Sequence, residues 1–169
     1  MKVRLATAEI SFHIDVNVGD PIYPEPQVVS LPLLLGGELQ LHGYPVVMVH
    51  AEKLITALAR GTANTRWRDF ADMLVLSSWQ SVGAHEMREA LLRVSRHRRV
   101  ELIPISVALV NFASISQSSW AIWVRKQRLG ATLPESLELA LNEIFDFADP
   151  VLTGEVVRRM WVPASRSWR

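Results

Sequence analysis

The hydrophobic period of this chain changes once, and that change sets the fold class. In residues 9–19, "EISFHIDVNVG", Ile10, Phe12, Ile14, Val16 and Val18 alternate with Ser11, His13, Asp15 and Asn17. Period two over this length predicts a strand with one face toward a core. "VRLAT" before it reads as an antiparallel partner, with the tight turn expected near Ala8 and Glu9. From about Val49 onward the apolar residues recur at three and four. Ala51, Leu54, Ile55 and Leu58 mark a first helix to about Arg60; Phe70, Met73, Leu74 and Ser77 mark a second over 66–79. Met87, Ala90, Leu91 and Val94 mark a third over 84–97. Strands first and helices afterwards give an α+β chain, divided into a sheet part over 1–48 and a helical part over 49–169.

Between the two regimes, "GDPIYPEPQ" is turn and loop, "VVSLPLLL" is strand or linker, and "GGELQLHGYP" alternates like a strand. Residues 100–115 are apolar without a clear period and read mostly as loop with a short helix. "SQSSWAIWVRKQRLG" reads as a serine-capped helix stopped at Gly130. "PESLELALNEIFDFADPVL" reads as another, with Pro134 in its first turn and Leu137, Leu141, Ile144 and Phe145 inward. The tail "MWVPASRSWR" reads as irregular.

Composition narrows the function classes. The 169 residues contain no cysteine, which removes disulfides, a thiolate nucleophile and a cysteine zinc site. A formal net charge of +1 supplies no global field for nucleic acid. The amino-terminal stretch lacks the apolar core of a signal peptide, and no run is long enough to span a bilayer, so a cytoplasmic protein without a membrane anchor is expected. Four of the six tryptophans (Trp120, Trp123, Trp161 and Trp168) fall in the last 50 residues, as core of a helical region or as a partner surface.

The chemistry-bearing residues gather in "HAEKLITALARGTANTRWRDFADML", 50–74. Lys53 lies at the edge of the first helix's apolar stripe, where its stem can rest on the core and its ammonium face a phosphate; the alternative is an ordinary surface lysine. Asp69 and Asp72 are three apart on the second helix, among Arg66 and Arg68, with Arg68 and Asp72 spaced for an ion pair. Such a cluster is either a salt-bridged helix edge or, in a first helical turn, part of an anion site. A short loop joins the two helices, so Lys53, the arginines and Asp69 can converge. Asp15, on the polar face of its strand, is a solvated carboxylate or an oxygen ligand for a divalent cation. The basic run "RVSRHRRV", 93–100, either complements a helix C-terminus or touches RNA phosphates.

Taken together, "ISFHIDVNVGDPIYPEP", "GYPVVMVHAEKLITALARGTANTRWRDFADML", "WAIWVRKQ" and "WVPASRSW" resemble the AbiEii/AbiGii-type nucleotidyltransferase toxin family along essentially the whole chain. The resemblance implies a polymerase-beta-like nucleotidyltransferase sheet, here partial, followed by a helical C-terminal region. It implies a toxin of toxin–antitoxin and phage-defence systems that uses nucleoside triphosphate and Mg2+ and transfers nucleotides, in some members to tRNA, with a cognate antitoxin as partner. By motif, Asp15 matches the metal-binding carboxylate on the sheet, Lys53 the phosphate-contacting lysine and Asp69 the late catalytic aspartate. Arg66, Arg68 and Asp72 lie around Asp69, and the resemblance implies that they, with Lys53, bind the nucleotide. The family's Gly-Ser/Thr/Ala turn and Asp-x-Asp pair have no counterpart before Asp15. A truncated chain, inactive alone and with an exposed sheet edge, is therefore expected. The alternative is a non-catalytic helical module that binds an antitoxin protein or RNA.

Overall fold

The computed structural model describes residues 2–5, 7–11, 19 and 21–169. It is α+β, with the strands in three small antiparallel sheets and the helices between them. Strands β1 (Lys2–Leu5) and β2 (Ala8–Ser11) form a hairpin. Its register sets Val3 opposite Ile10 and Leu5 opposite Ala8, so Ala8 and Glu9 belong to the ladder rather than to the turn expected there. Most of the alternating stretch that carries Asp15, residues 12–18, lies outside the described residues.

Strands β3 (Gln27–Pro32) and β4 (Glu38–Gly43) form a second hairpin, which makes "VVSLP" a strand and not a linker. The chain reverses through residues 33–37, where Gly36 and Gly37 take φ of +90° and +84°, backbone that side-chain-bearing residues rarely adopt. Among the described residues each hairpin pairs only with itself, so both have open edges.

Helix α1 (Val46–Arg60) starts three residues earlier than its apolar spacing suggested, directly after Pro45. A single turn of 3-10 helix at Gly61–Ala63 leads to α2 (Trp67–Trp79). The short strand β5 (Val82–Gly83) precedes α3 (Ala84–Arg98). The apolar stretch after it resolves into α4 (Ile105–Ala108) and the beginning of α5 (Phe112–Lys126). Helix α5 thus starts before the serines expected to cap it and ends before Gly130. The cause is tertiary: Phe112 is fully buried and packs its ring on Phe70 and Trp67, with centroids 5.6 and 5.8 Å away. Burial of an aromatic side chain outweighs the local preference of serine for a cap.

Helix α6 (Leu137–Thr153) is capped by Ser136, whose hydroxyl accepts from the Leu139 N–H at 3.3 Å. Pro134 therefore lies before the helix and not in its first turn; its carbonyl accepts the Trp120 indole N–H at 2.9 Å. The tail is ordered strand and not irregular: β6 (Met160–Val162) and β7 (Ser167–Trp168) complete a sheet with β5. Two tryptophans fix it. Trp161 donates to the Ser77 carbonyl at 2.7 Å and Trp168 to the Phe147 carbonyl at 3.0 Å, both from buried rings. Trp120 is buried as well, so the tryptophans of the last 50 residues are chiefly core, with Trp123 half-buried.

Candidate functional site

Helices α1 and α2 pack as a hairpin because the link between them is short and Gly61 takes φ of +51° at the end of α1. The buried Asn64 side chain braces the entry to α2 by accepting the Arg66 backbone N–H at 2.9 Å. This geometry turns the edge of α1 that bears Lys53 toward the first two turns of α2. Lys53 Nζ donates to Asp69 Oδ1 at 3.1 Å and to Asp72 Oδ2 at 2.7 Å. Arg66 donates its Nε to Asp69 Oδ2, and a second guanidinium nitrogen approaches Asp69 Oδ1 at 3.4 Å. Asp69 is thus a buried acceptor between two cations.

Burial by itself would push the Asp69 carboxyl up. The hydrogen bonds from Arg66 and Lys53, with their charges, outweigh it and hold the group below the usual aspartate range. The Arg66 guanidinium is correspondingly raised by its hydrogen bond to Asp69 and by that carboxylate's charge.

Lys53, Arg66 and Asp69 line an open cleft of about 330 Å³. Tyr44 closes one side, and Arg98 reaches it from α3 by donating to Thr56 Oγ1 at 2.9 Å and to the Glu52 carboxylate. Lys53 has three N–H donors and Asp69 and Asp72 take two, leaving one for a ligand. The Arg66 side chain is about half exposed (54%), so its outer edge also faces the cleft. The cluster can therefore grip a phosphate with two cations already oriented by carboxylates.

It does not suit a divalent metal. Both Asp69 oxygens accept from cationic donors, and a metal there would meet the charges of Lys53 and Arg66. Among the described residues no group of three or more histidines, aspartates or glutamates is placed to hold a metal ion.

The structure thus brings together Lys53, Arg66, Asp69 and Asp72. It separates Arg68, which lines a different cleft on the neighbouring face of α2. The ion pair expected between Arg68 and Asp72 is replaced by Lys53–Asp72, because the lysine stem spans the gap between the helices and the spacing within one helix does not decide the partner. Asp15 lies outside the described residues. The basic run divides: Arg93 sits 4.5 Å over the Tyr23 ring, Arg98 joins the cleft, and Arg96 and His97 lie in the last turn of α3, where the Arg96 charge suits the helix dipole.

His50 was not expected at the site. It lies one turn before Lys53 on α1, is fully buried, and neither ring nitrogen has a hydrogen-bond partner among the described residues. The Phe147 ring lies 4.7 Å away. Burial, reinforced by the Lys53 charge, lowers the His50 pKa to about 4, so the ring is neutral at physiological pH. The signal was available, since His50 falls on the apolar stripe between Val47 and Leu54.

Comparison with protein-family models matches residues 1–148 to one described as "Nucleotidyl transferase AbiEii toxin, Type IV TA system". The chain belongs to the AbiEii family. It is accordingly a nucleotidyltransferase-like toxin of a toxin–antitoxin system, for which an antitoxin is the counterpart. The matched region contains both helices of the AbiEii cleft and every charged group just described. Comparisons with curated proteins and with solved structures give no match. No helix among the described residues is long and apolar enough to cross a membrane.

Proposed function

We propose that the α1–α2 cleft holds the phosphates of a nucleoside triphosphate and that this chain serves nucleotidyl transfer to an RNA acceptor, tRNA being the acceptor class its family resemblance suggests. The observation that carries the reading is the convergence of Lys53 and Arg66 on one buried carboxylate beside an open cleft. Lys53 neutralises phosphate charge, which grows on the leaving group as the nucleotidyl group is transferred. Asp69 contributes by holding Lys53 and Arg66 in place, and Asp72 by taking a second lysine proton. Arg68 serves the nucleotide from the adjoining face of α2. Mg2+ would supply Lewis-acid chemistry, but Asp69 is committed to its cations; the ion falls to other carboxylates, of which Asp15 is the sequence's candidate. On a division at residue 48, the charged groups belong to the helical part and Tyr44 is the sheet part's contribution.

Calorimetric titration of the purified chain with nucleoside triphosphate tests this. Lys53→Ala should weaken binding tenfold or more, as expected for losing a charged hydrogen bond of about 1.5–3 kcal/mol, and should leave the thermal midpoint within a few degrees. Asp72→Asn should weaken it less, because Asp69 still holds the lysine. Transfer of labelled nucleotide to tRNA should vanish with Lys53→Ala. Equal triphosphate affinity in Lys53→Ala and the unaltered chain would sink the assignment.

A second reading, a non-catalytic module that binds an antitoxin or RNA, draws on one observation. Leu34 and Leu35, at the tip of the β3–β4 hairpin, are completely exposed, and contiguous exposed apolar surface marks contact sites.

A further inference from the structure

The geometry points to a nucleobase subsite on the other side of Asp72, between α2 and the end of α5. This inference rests on the phosphate reading of the α1–α2 cleft and names what lies next to it. Successive residues of a helix advance by about 100°. Asp69, Asp72, Arg68 and Val75 therefore follow one another around α2, and Asp72 stands on the ridge between two clefts. One of its oxygens accepts from Lys53 on the phosphate side. The same residue lines the second cleft, of about 290 Å³, with Arg68, Val75, Trp123, Gln127 and Leu133. That volume is near the lower end of small-ligand pockets, about 300–1,000 Å³.

Its walls suit a flat heteroaromatic ring. Trp123 is half-buried and backed by Trp120, with ring centroids 5.6 Å apart and planes inclined by 26°. Trp120 is fully buried and anchored through its indole N–H to the Pro134 carbonyl, so the aromatic wall is fixed in place. Val75 and Leu133 add apolar surface. The polar groups around the rim are uncommitted: the Arg68 and Gln127 side chains and the Trp123 indole N–H have no hydrogen-bond partner among the described residues, and Asp72 keeps one carboxylate oxygen. Aromatic stacking with a few edge donors and acceptors is how proteins hold unpaired bases. A base seated against Trp123 belongs either to the triphosphate or to the acceptor RNA.

Calorimetry on the full chain with inorganic triphosphate, the four nucleoside triphosphates and a short single-stranded RNA tests the subsite. Trp123→Leu should weaken nucleoside triphosphates about tenfold while leaving inorganic triphosphate within twofold, and Trp123→Phe should restore most of the loss, since a stacking face remains. If the base comes from the acceptor, Trp123→Leu weakens the RNA by that factor and leaves the nucleoside triphosphates unchanged. Arg68→Ala, at an exposed position, should follow Trp123→Leu in direction and keeps the test informative if the tryptophan variant folds poorly. The proposal is overturned if neither Trp123→Leu nor Arg68→Ala alters nucleotide or RNA affinity, or if the unaltered chain binds neither. Failure of the phosphate reading looks different: inorganic triphosphate does not bind, or Lys53→Ala leaves its binding unchanged.

Discussion

The helical body and the β3–β4 hairpin use similar residues for opposite ends. In the body, the largest apolar side chains turn inward: Leu54, Phe70, Phe112 and Trp120 are fully buried in one continuous core. In the hairpin, Val28, Leu31, Leu39 and Leu41 are all exposed, and none of its residues is buried. The hairpin has a regular ladder and a glycine turn, yet it has no layer to pack against among the described residues. Backbone pairing specifies its shape, whereas apolar burial stabilises the body. A two-stranded ribbon alone is marginal in water, so substitutions should act very differently in the two regions.

The widest contrast should come from the core. Trp120→Ala removes a fully buried ring together with its hydrogen bond to Pro134, and should cost about 3–5 kcal/mol in urea denaturation. A loss under about 1 kcal/mol would mean that the body is not the cooperative unit.

Acid should sharpen the comparison next, because the buried titratable groups among the described residues, His50 and Asp69, sit in the body. His50 has its pKa lowered to about 4 in the folded chain, against an ordinary 6.5 when unfolded. The unfolded chain therefore takes up a proton that the folded chain refuses. Stability should be full above pH 6.5 and fall by about 3 kcal/mol as the pH drops toward 4. Asp69, held below its ordinary value, adds a loss at lower pH, as the carboxylate that Lys53 and Arg66 require is protonated. Urea midpoints at successive pH values should show the upper window disappear in His50→Leu while the lower one stays. An unchanged upper window would remove His50 as its cause.

The smallest change should follow in the ribbon. Leu34→Ser with Leu35→Ser alters side chains that touch nothing, and the urea midpoint should move by no more than about 0.5 kcal/mol equivalent. If the exposed tip is a contact surface, the same pair should reduce capture of the cognate antitoxin in a pull-down. A large fall in stability instead would show that the hairpin packs onto the body.

Much of this was legible in the residues. The charge cluster could be read because Asp69 and Asp72 share one helix and a short link brings Lys53 opposite them. The partner of Asp72 could not, since spacing within a helix is blind to a lysine arriving from another. The C-terminal strands were missed because two- and three-residue strands are too short to show a period. They exist because Trp161 and Trp168 find carbonyls on α2 and α6. The start of α5 was misplaced because Phe112 is drawn into an aromatic group assembled from α2 and α5.

The sequence by itself determined the order of strands and helices, the family and the short list of charged residues. These depend on period, on type and on local spacing, all written along one dimension. Only the tertiary structure decided which charges meet, that His50 is sealed away with no partner among the described residues, that Arg68 and Trp123 share a second cleft, and which leucines are covered. Those outcomes depend on distances between elements far apart in the chain, and packing of the whole core sets such distances.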